Sequence, residues 1–219
     1  MGDVFQKDYW ERKSLNKRRT PEHPVIQSYV KSRIKEISKS IEFSPALSLL
    51  DVGCGNGFFM YQFNNFCQVT GVDYSEQMLK LNPVKNVLQM DAHELKFQND
   101  SFDLVFCHAL LHHVAFPEKV ISEMAKVSRK YVVIMEPNRS NPLMFLFGLL
   151  VKEERKSLQF SLAYLTNMAR QSGLRIKDAF SFGLAVPNRT PVFLLPLTRL
   201  FDRRFSLGVT NVIIAEKLS

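Results

Sequence analysis

One acidic residue and three alternating glycines occupy the segment 51–57. An apolar run ends near Asp51, and Gly53, Gly55 and Gly57 follow before a second apolar run begins. Glycine permits a sharp turn with positive φ and leaves the main chain open to close approach by a ligand. Asp51 places negative charge beside the turn, which suits a cationic amino group better than a phosphate. The spacing therefore predicts a loop whose backbone contacts a ligand that carries a cationic group.

The glycine spacing differs from that of a dinucleotide-binding loop. Dinucleotide folds use GxGxxG, in which the last glycine admits the helix and the helix N-terminus holds a pyrophosphate. Here the pattern is GxGxG, with Phe58 after the last glycine. DVGCGNG instead resembles the cofactor loop of class I S-adenosylmethionine-dependent methyltransferases, whose product is S-adenosylhomocysteine; a glycine-rich turn without a ligand is the alternative. The resemblance implies cofactor contacts from Asp51, Gly53, Cys54, Gly55, Asn56 and Gly57.

A second acidic residue, Asp73, ends a predicted strand over residues 68–73. It lies about 20 residues after the loop, the distance at which such folds place a ribose-binding carboxylate. The alternative is a helix cap, but Ser75 already stands where the next helix would need one. Asp73 is therefore the predicted ribose ligand. The resemblance adds Tyr74 and Met78 as cofactor contacts.

Two further motifs follow in the order of the same family. A third strand is predicted over residues 87–91, and in the resembled family the acid there meets the adenine amino group, which assigns Asp91 and the following Ala92 to the adenine. DLVFCHALLHHV is similar to the motif of the type 11 methyltransferase group in which a strand end passes under the methionine part of the cofactor. This assigns Cys107 to the cofactor site. The resemblance covers roughly residues 45–137.

Three side chains near this motif could move a proton. Methyl transfer from a sulfonium is an in-line displacement, so the protein must align the reactants and exclude water, and a general base helps only with a hydroxyl or carbon acid. His112, His108 and Glu136 are the predicted catalytic residues, with His112 preferred. A structural role for His112, and closure of a strand against a helix N-terminus for Glu136, stay open.

A metal is not expected at the histidines of this motif. The run HxxxHH, which also contains His113, includes no carboxylate that would complete a ligand set. The resembled family also generally needs no metal here. The sequence therefore predicts a site that works without a metal ion.

Alternating strands and helices must position these residues. Periodicity predicts strands at 46–52, 68–73, 87–91, 102–108 and 130–136, then 174–182 and 209–217. Helices are predicted from Pro24 onward and at 57–66, 75–81, 117–128 and 161–172. The pattern is that of a doubly wound α/β fold with a parallel sheet. The resemblance implies a Rossmann-like, mostly parallel seven-stranded sheet with an antiparallel last strand.

Length and composition limit the chain to one substantial core. With 219 residues and 46% hydrophobic content, a single domain over residues 1–219 is expected. Its predicted parts are an N-terminal cap arm and helix (1–44), a cofactor-binding core (45–137) and two substrate-lid insertions (138–160 and 183–208). The cysteine count is odd and includes no CxxC pair, which is typical of reduced cytosolic thiols.

The net charge of +8 lies on the flanks of the chain. Residues 139–219 carry 12 Lys and Arg against 5 Asp and Glu, whereas residues 41–138 carry 7 against 11. A solvated surface explains such charge, and so does attraction of an acidic substrate or an anionic membrane. Apolar stretches at 142–151 and 192–201, each followed by charge, fit either a lid packed on the protein or an interfacial element.

We therefore predict an S-adenosylmethionine-dependent methyltransferase with a small-molecule or lipid-like acceptor. A cytoplasmic location is expected, with peripheral membrane contact as the open alternative, because no signal peptide or membrane-spanning run is present. Nucleic acid is disfavoured as a partner, since no RNA-binding module or aromatic stacking platform is present. A noncatalytic cofactor-binding partner protein and an NAD(P)-dependent oxidoreductase remain as alternatives, and the oligomeric state stays open.

Overall fold

The computed structural model describes residues 18–218, so most of the predicted N-terminal arm lies outside the described residues. Helix α1 (Pro24–Ile37) begins at a proline, and the His23 side chain accepts a hydrogen bond from the backbone N–H of Val25. Its buried face includes Val25, Ile26, Val30 and Ile34. This apolar spacing is the one that predicted a helix after Pro24.

Seven strands form one sheet in the order β3-β2-β1-β4-β5-β7-β6. Strands β1 (Ser48–Val52), β2 (Gln68–Asp73), β3 (Val87–Gln89), β4 (Phe102–His108) and β5 (Ser128–Pro137) are mutually parallel. Strand β7 (Thr210–Lys217) runs antiparallel between β5 and β6 (Leu174–Phe182). The doubly wound, mostly parallel seven-stranded sheet with an antiparallel last strand is confirmed.

Side chains of the central strands alternate between two apolar layers. Leu49 of β1 and Phe106 of β4 face one layer, whereas Leu50 and Val105 face the other. The first layer contains α1, α2 (Met60–Phe63) and α3 (Glu76–Lys80), and the second contains α4 (Pro117–Val127) and α6 (Leu162–Gln171). Helices therefore cover both faces, as a parallel sheet requires.

Several predicted elements are shorter than expected, among them β3 and α2. Strand β3 ends at Gln89 rather than residue 91, because its neighbour in the sheet, β2, ends at Asp73 opposite Gln89. Helix α2 covers Met60–Phe63 rather than 57–66. Gly57, at φ +85°, precedes the helix. After Phe63, i to i+3 bonds appear among the i to i+4 bonds, as from the N–H of Phe66 to the carbonyl of Phe63.

Both long insertions contain short helices. The first holds α5 (Pro142–Leu150) and a 3-10 helix (Lys152–Gln159), and the second holds a 3-10 turn (Val192–Leu194) and α7 (Leu195–Arg199). Asn138 donates side-chain hydrogen bonds to the carbonyls of Ser206 and Gly208, and Asn141 donates one to Leu207. The start of the first insertion is therefore bonded to the end of the second.

Candidate active site

A cavity of about 690 Å³ lies at the carboxyl ends of the parallel strands. Strand order reverses between β1 and β4, which is the position where open α/β sheets bind their ligands. The glycine loop, the ends of β2 and β4, and both insertions contribute to the lining. The volume is that of a site for a drug-sized ligand.

The glycine loop turns sharply below this cavity. Gly53, Gly55 and Gly57 all have positive φ. A Cβ on Gly57 would lie 2.3 Å from Oδ1 of Asn82, so this position excludes any larger residue on both conformational and steric grounds. The backbone N–H groups of Gly53 and Cys54 donate to the carbonyl of Val72, which fixes the loop against β2.

Asp73 connects the loop to the next helix. One carboxylate oxygen accepts the backbone N–H of Gly55 and the other accepts that of Ser75, each at 2.8 Å. Ser75 is the N-cap of α3, as expected, since its hydroxyl accepts the N–H of Met78. A carboxylate has about four acceptor positions, so Asp73 retains capacity for ligand hydroxyls. Burial raises its pKa.

Asp51 is a buried acid beside the same loop. Burial, and secondly the charge of Asp73, raise its pKa to about 8. Its side chain lines the cavity although it is only 3% exposed as a residue. Two acids held close together and away from solvent form a site that a cationic ligand group would stabilise.

Asp91 and Ala92 lie two and three residues beyond the end of β3 and also line the cavity. One Asp91 oxygen accepts the backbone N–H of His93 and lies 2.7 Å from its Nδ1. His93 is itself a lining residue that the sequence did not indicate. This part of the cavity wall is polar and is positioned by a turn rather than by the strand.

Most of the predicted cofactor residues line this one cavity, and two do not. The lining includes Asp51, Gly53, Cys54, Gly55, Asn56, Asp73, Tyr74, Met78, Asp91 and Ala92. Gly57 packs against Asn82 instead, and Cys107 is fully buried within the sheet core. The role of each residue toward the cofactor remains a prediction.

His112 and Glu136 form a buried pair at the other end of the cavity. The Nδ1 of His112 lies 2.5 Å from a Glu136 oxygen, and the other Glu136 oxygen accepts the backbone N–H groups of Leu110 and Leu111. On the far side of the imidazole, Nε2 lies 3.2 Å from an oxygen of Glu154. Burial by itself lowers the pKa of His112. The charge and hydrogen bond of Glu136, and then the hydrogen bond and charge of Glu154, outweigh burial and raise the pKa to about 10.

His108 has the opposite electrostatic environment. Burial, and secondly the charge of Arg33, lower its pKa to about 3. Its Nε2 lies 2.9 Å from the hydroxyl of Tyr29, a residue of α1. The same Tyr29 hydroxyl lies 3.2 Å from the hydroxyl of Thr210. At neutral pH His108 is therefore neutral and His112 protonated. The catalytic roles of His112, His108 and Glu136 remain predictions.

Besides His93, the site residues Glu154 and Tyr29 were missed by sequence reasoning. Each comes from an element remote in sequence from the four motifs, Tyr29 from the helix before the sheet and Glu154 from the first insertion. The HxxxHH run contains no carboxylate, but the folded chain brings the carboxylate of Glu154 to His112. The assignment of residues 138–160 to a lid was the only signal that pointed to Glu154.

A family model described as a methyltransferase domain matches residues 50–134. These residues contain the glycine loop, Asp73, Asp91 and the histidine motif. Over this stretch the chain carries the methyltransferase domain of the class I S-adenosylmethionine-dependent superfamily. Within the superfamily, magnesium protoporphyrin IX methyltransferase of Synechocystis, solved with bound S-adenosylmethionine, has the same fold: TM-score 0.66, 15% identity, and coverage of 100% of this chain and 98% of that one.

Two sequence relatives are methyltransferases of lipid or quinone metabolism by name. Phosphatidylethanolamine N-methyltransferase of Cereibacter sphaeroides is 41% identical over 92 residues, which are 37% of this chain and 45% of that protein. A ubiquinone biosynthesis O-methyltransferase of Hahella chejuensis is 28% identical over 120 residues, half of each chain. The chain thus spans about half the length of these two relatives.

Proposed function

We propose that this protein binds S-adenosylmethionine in the cavity and transfers its methyl group to a small-molecule or lipid-like acceptor. The observation that carries the proposal is the placement of Asp51 and Asp73 around a glycine loop at the switch point of the sheet. The bound cofactor would supply an electrophilic methyl group on a sulfonium. The residues fit its chemistry, because a buried acid suits its amino group and a hydroxyl acceptor suits its ribose.

In this proposal the chain binds and orients the two reactants. Asp51 holds the amino group, Asp73 the ribose hydroxyls, and the wall at Asp91 and Ala92 the adenine. Tyr29, His108 and the pair His112 and Glu136 border the rest of the cavity, where the acceptor would lie. Alignment in a site that excludes water can contribute on the order of 7 to 11 kcal/mol toward the barrier reduction.

The loop geometry disfavours the oxidoreductase alternative. A pyrophosphate needs a helix N-terminus directly after the glycines. Helix α2 begins only at Met60 and has four residues. Two residues, Phe58 and Phe59, separate the last glycine from that helix. Asp51 also places a negative group where a pyrophosphate would be repelled.

Calorimetric titration separates these alternatives. S-adenosylhomocysteine is expected to bind in the micromolar range with one site, and NADH is expected not to bind. Subsequent transfer of a labelled methyl group to extracted lipids and small organic acids would establish catalysis. Failure of S-adenosylhomocysteine to bind at high micromolar concentration would contradict the proposal, and binding without turnover on any acceptor would favour a noncatalytic cofactor-binding protein.

Cofactor binding is expected to release a proton from Asp51 below pH 8. In the free protein this carboxyl has a pKa of about 8 and is protonated at pH 7, whereas an ammonium group would favour its ionised form. Affinity should therefore rise as the pH increases from 6 to 8. Calorimetry in buffers of different ionisation enthalpy would measure the release of most of one proton at pH 7.

The matched comparison for this measurement is Asp51→Asn. It should remove the proton release and weaken binding by about 10- to 100-fold, because a charged hydrogen bond is lost. Asp100→Asn, at an exposed position outside the cavity, should leave both quantities unchanged. Proton release that persists in Asp51→Asn would show that another group titrates.

The two insertions support a lipid-like acceptor. In α5 only Met144 and Gly148 are buried. Met144 and the partly buried Phe147 line the cavity. The remaining large apolar side chains face outward, with Leu150 exposed by 75% and, in the second insertion, Phe193 by 79%. Further exposed apolar residues of the two insertions are Leu143, Phe145, Leu146, Leu149, Val192, Leu197 and Leu200.

These exposed side chains lie next to basic residues and the cavity. Arg189 lies over the ring of Phe147 and lines the cavity, so the two insertions meet there. An exposed apolar surface with nearby positive charge is typical of a protein that rests on an anionic membrane. No helix within residues 18–218 has both the length and the hydrophobicity needed to cross a bilayer. We infer peripheral contact through the insertions, with the acceptor entering from the lipid.

Flotation with vesicles tests the membrane contact. The protein is expected to float with phosphatidylglycerol vesicles and less with phosphatidylcholine vesicles, since its flanks are basic. The double variant Leu146→Ser with Leu150→Ser should reduce vesicle binding by about tenfold or more. Each leucine side chain that moves from water into the bilayer contributes about 1.5 to 3 kcal/mol to binding. Leu81→Ser with Leu88→Ser, which replaces two leucines that are also exposed but lie outside the insertions, is the control. Absence of flotation with anionic vesicles would contradict the inference.

A further inference from the structure

Three possible metal ligands converge where the first insertion meets the end of β4. His112 and His113 lie on a 3-10 turn (Leu111–His113), and Glu154 lies on the 3-10 helix of the insertion. One ligand atom from each residue lies within 4.8 Å of the other two. All three side chains line the cavity. The cluster is outside the glycine-loop end of the site.

We propose that His112, His113 and Glu154 bind a divalent transition-metal ion of the zinc type. Two imidazoles and one carboxylate are a common ligand set for zinc, and imidazole ligands select against magnesium and calcium. Catalytic zinc sites have three protein ligands and leave one position for a water or a substrate atom. Because all three side chains line the cavity, the cavity would supply the fourth ligand.

Glu136 orients His112 as such a site requires. Metal-binding histidines almost always donate their second ring N–H to a carboxylate or carbonyl, which fixes the tautomer and the ring orientation. The Nδ1 of His112 lies 2.5 Å from Glu136, whose other oxygen accepts two backbone N–H groups. The carboxylate is wholly buried and immobilised. The remaining nitrogen, Nε2, faces Glu154. It carries a proton in the metal-free protein at neutral pH, and binding of the ion would release that proton.

Two atoms that face each other have the spacing of two ligands of one ion. The Nε2 of His112 and an oxygen of Glu154 are 3.2 Å apart, and the nitrogen is buried. Ligands of tetrahedral zinc are about 3.4 Å apart, given bonds of about 2.0 to 2.1 Å. The imidazole of His113, whose ring centre is 3.9 Å from that of His112, offers a ligand nitrogen within 4.8 Å of the other two ligand atoms.

The bound ion would also fasten the first insertion to the end of β4. Glu154 is the only one of the three ligands that the insertion contributes. Metal binding would therefore order residues 152–159 against the cavity. The inference is independent of the proposed methyl transfer, because it concerns only the ligand set and can be tested without cofactor or acceptor.

The test is calorimetric titration of Zn²⁺ and Mg²⁺ into the untagged, metal-stripped full chain. One equivalent of Zn²⁺ is expected to bind in the micromolar range or tighter, and Mg²⁺ is expected not to bind. Glu154→Gln and His113→Ala should each weaken Zn²⁺ binding by at least about tenfold, and Glu136→Gln by about 10- to 100-fold. Glu153→Gln, the adjacent carboxylate outside the cluster, should bind Zn²⁺ as the parent does.

Cobalt substitution identifies the ligands independently of affinity. Tetrahedral Co²⁺ should give visible absorption bands without the near-ultraviolet band of a cobalt thiolate, because the three cysteines lie outside the cluster. Circular dichroism of each variant checks that it is folded. Absence of one-to-one Zn²⁺ binding in the parent would overturn the proposal, and so would unchanged binding in folded Glu154→Gln and His113→Ala or a thiolate band with Co²⁺.

Discussion

Replacing Asp73 with alanine is expected to lower the affinity for S-adenosylhomocysteine by at least about 100-fold, because the two proposed hydrogen bonds from ribose hydroxyls to this carboxylate would be lost. The substitution also frees the backbone N–H groups of Gly55 and Ser75, which both donate to this carboxylate. The glycine loop then loses its connection to α3. Calorimetry on the purified variant measures the effect.

Two further variants separate ligand contact from loop support. Asp73→Asn retains one oxygen acceptor of similar shape and should lose less affinity than Asp73→Ala. Glu76→Gln changes an exposed carboxylate three residues away, paired with Lys80, and should bind as the parent does. Binding by Asp73→Ala within a factor of about five of the parent would contradict the assignment of Asp73 to the ribose.

Replacing Glu136 with alanine is expected to destabilise the fold by about 3 to 5 kcal/mol. This carboxylate is fully buried and accepts hydrogen bonds from two backbone N–H groups, and it pairs with the ring of His112. Alanine leaves these groups buried without an acceptor, and it leaves the charge of His112 without its main partner. The melting temperature should fall by about 10 °C.

Glu136→Gln gives the intermediate case. Its amide oxygen can still accept the N–H groups of Leu110 and Leu111, so the loss of stability should be smaller than for alanine. Glu123→Ala is the control, since Glu123 is part-exposed and accepts one backbone N–H, from Leu95. It should cost about 1 kcal/mol. A Glu136→Ala variant as stable as Glu123→Ala would show that the buried network contributes little.

The local pattern of apolar residues was sufficient to predict the strands of the sheet. In β1 and β4, apolar side chains alternate between two layers, and both strands are read directly from hydrophobic periodicity. The glycine loop and Asp73 were also found from spacing alone, because a tight turn after a buried strand has few residue choices. These features depend on contacts between residues close in sequence or on a repeated motif.

Element ends were predicted less well, for a tertiary reason. Strand β3 stops where its partner β2 stops, and α2 begins late because the glycine turn before it is bonded to Asn82, whose side chain donates to the carbonyl of Gly55. Both limits are set by a neighbour that is remote in sequence. Periodicity within the segment carries no information about where such a neighbour ends.

The sequence by itself determined the doubly wound sheet, the glycine loop and the acids that border it. Only the tertiary structure decided the environment of the histidines. Glu154 reaches His112 from an insertion 42 residues away, and Tyr29 reaches His108 from the helix before the sheet. The resulting charges separate the two imidazoles, with a pKa of about 10 for His112 and about 3 for His108. A pKa depends on burial and on charges close in space, and neither is encoded in the spacing of the HxxxHH motif.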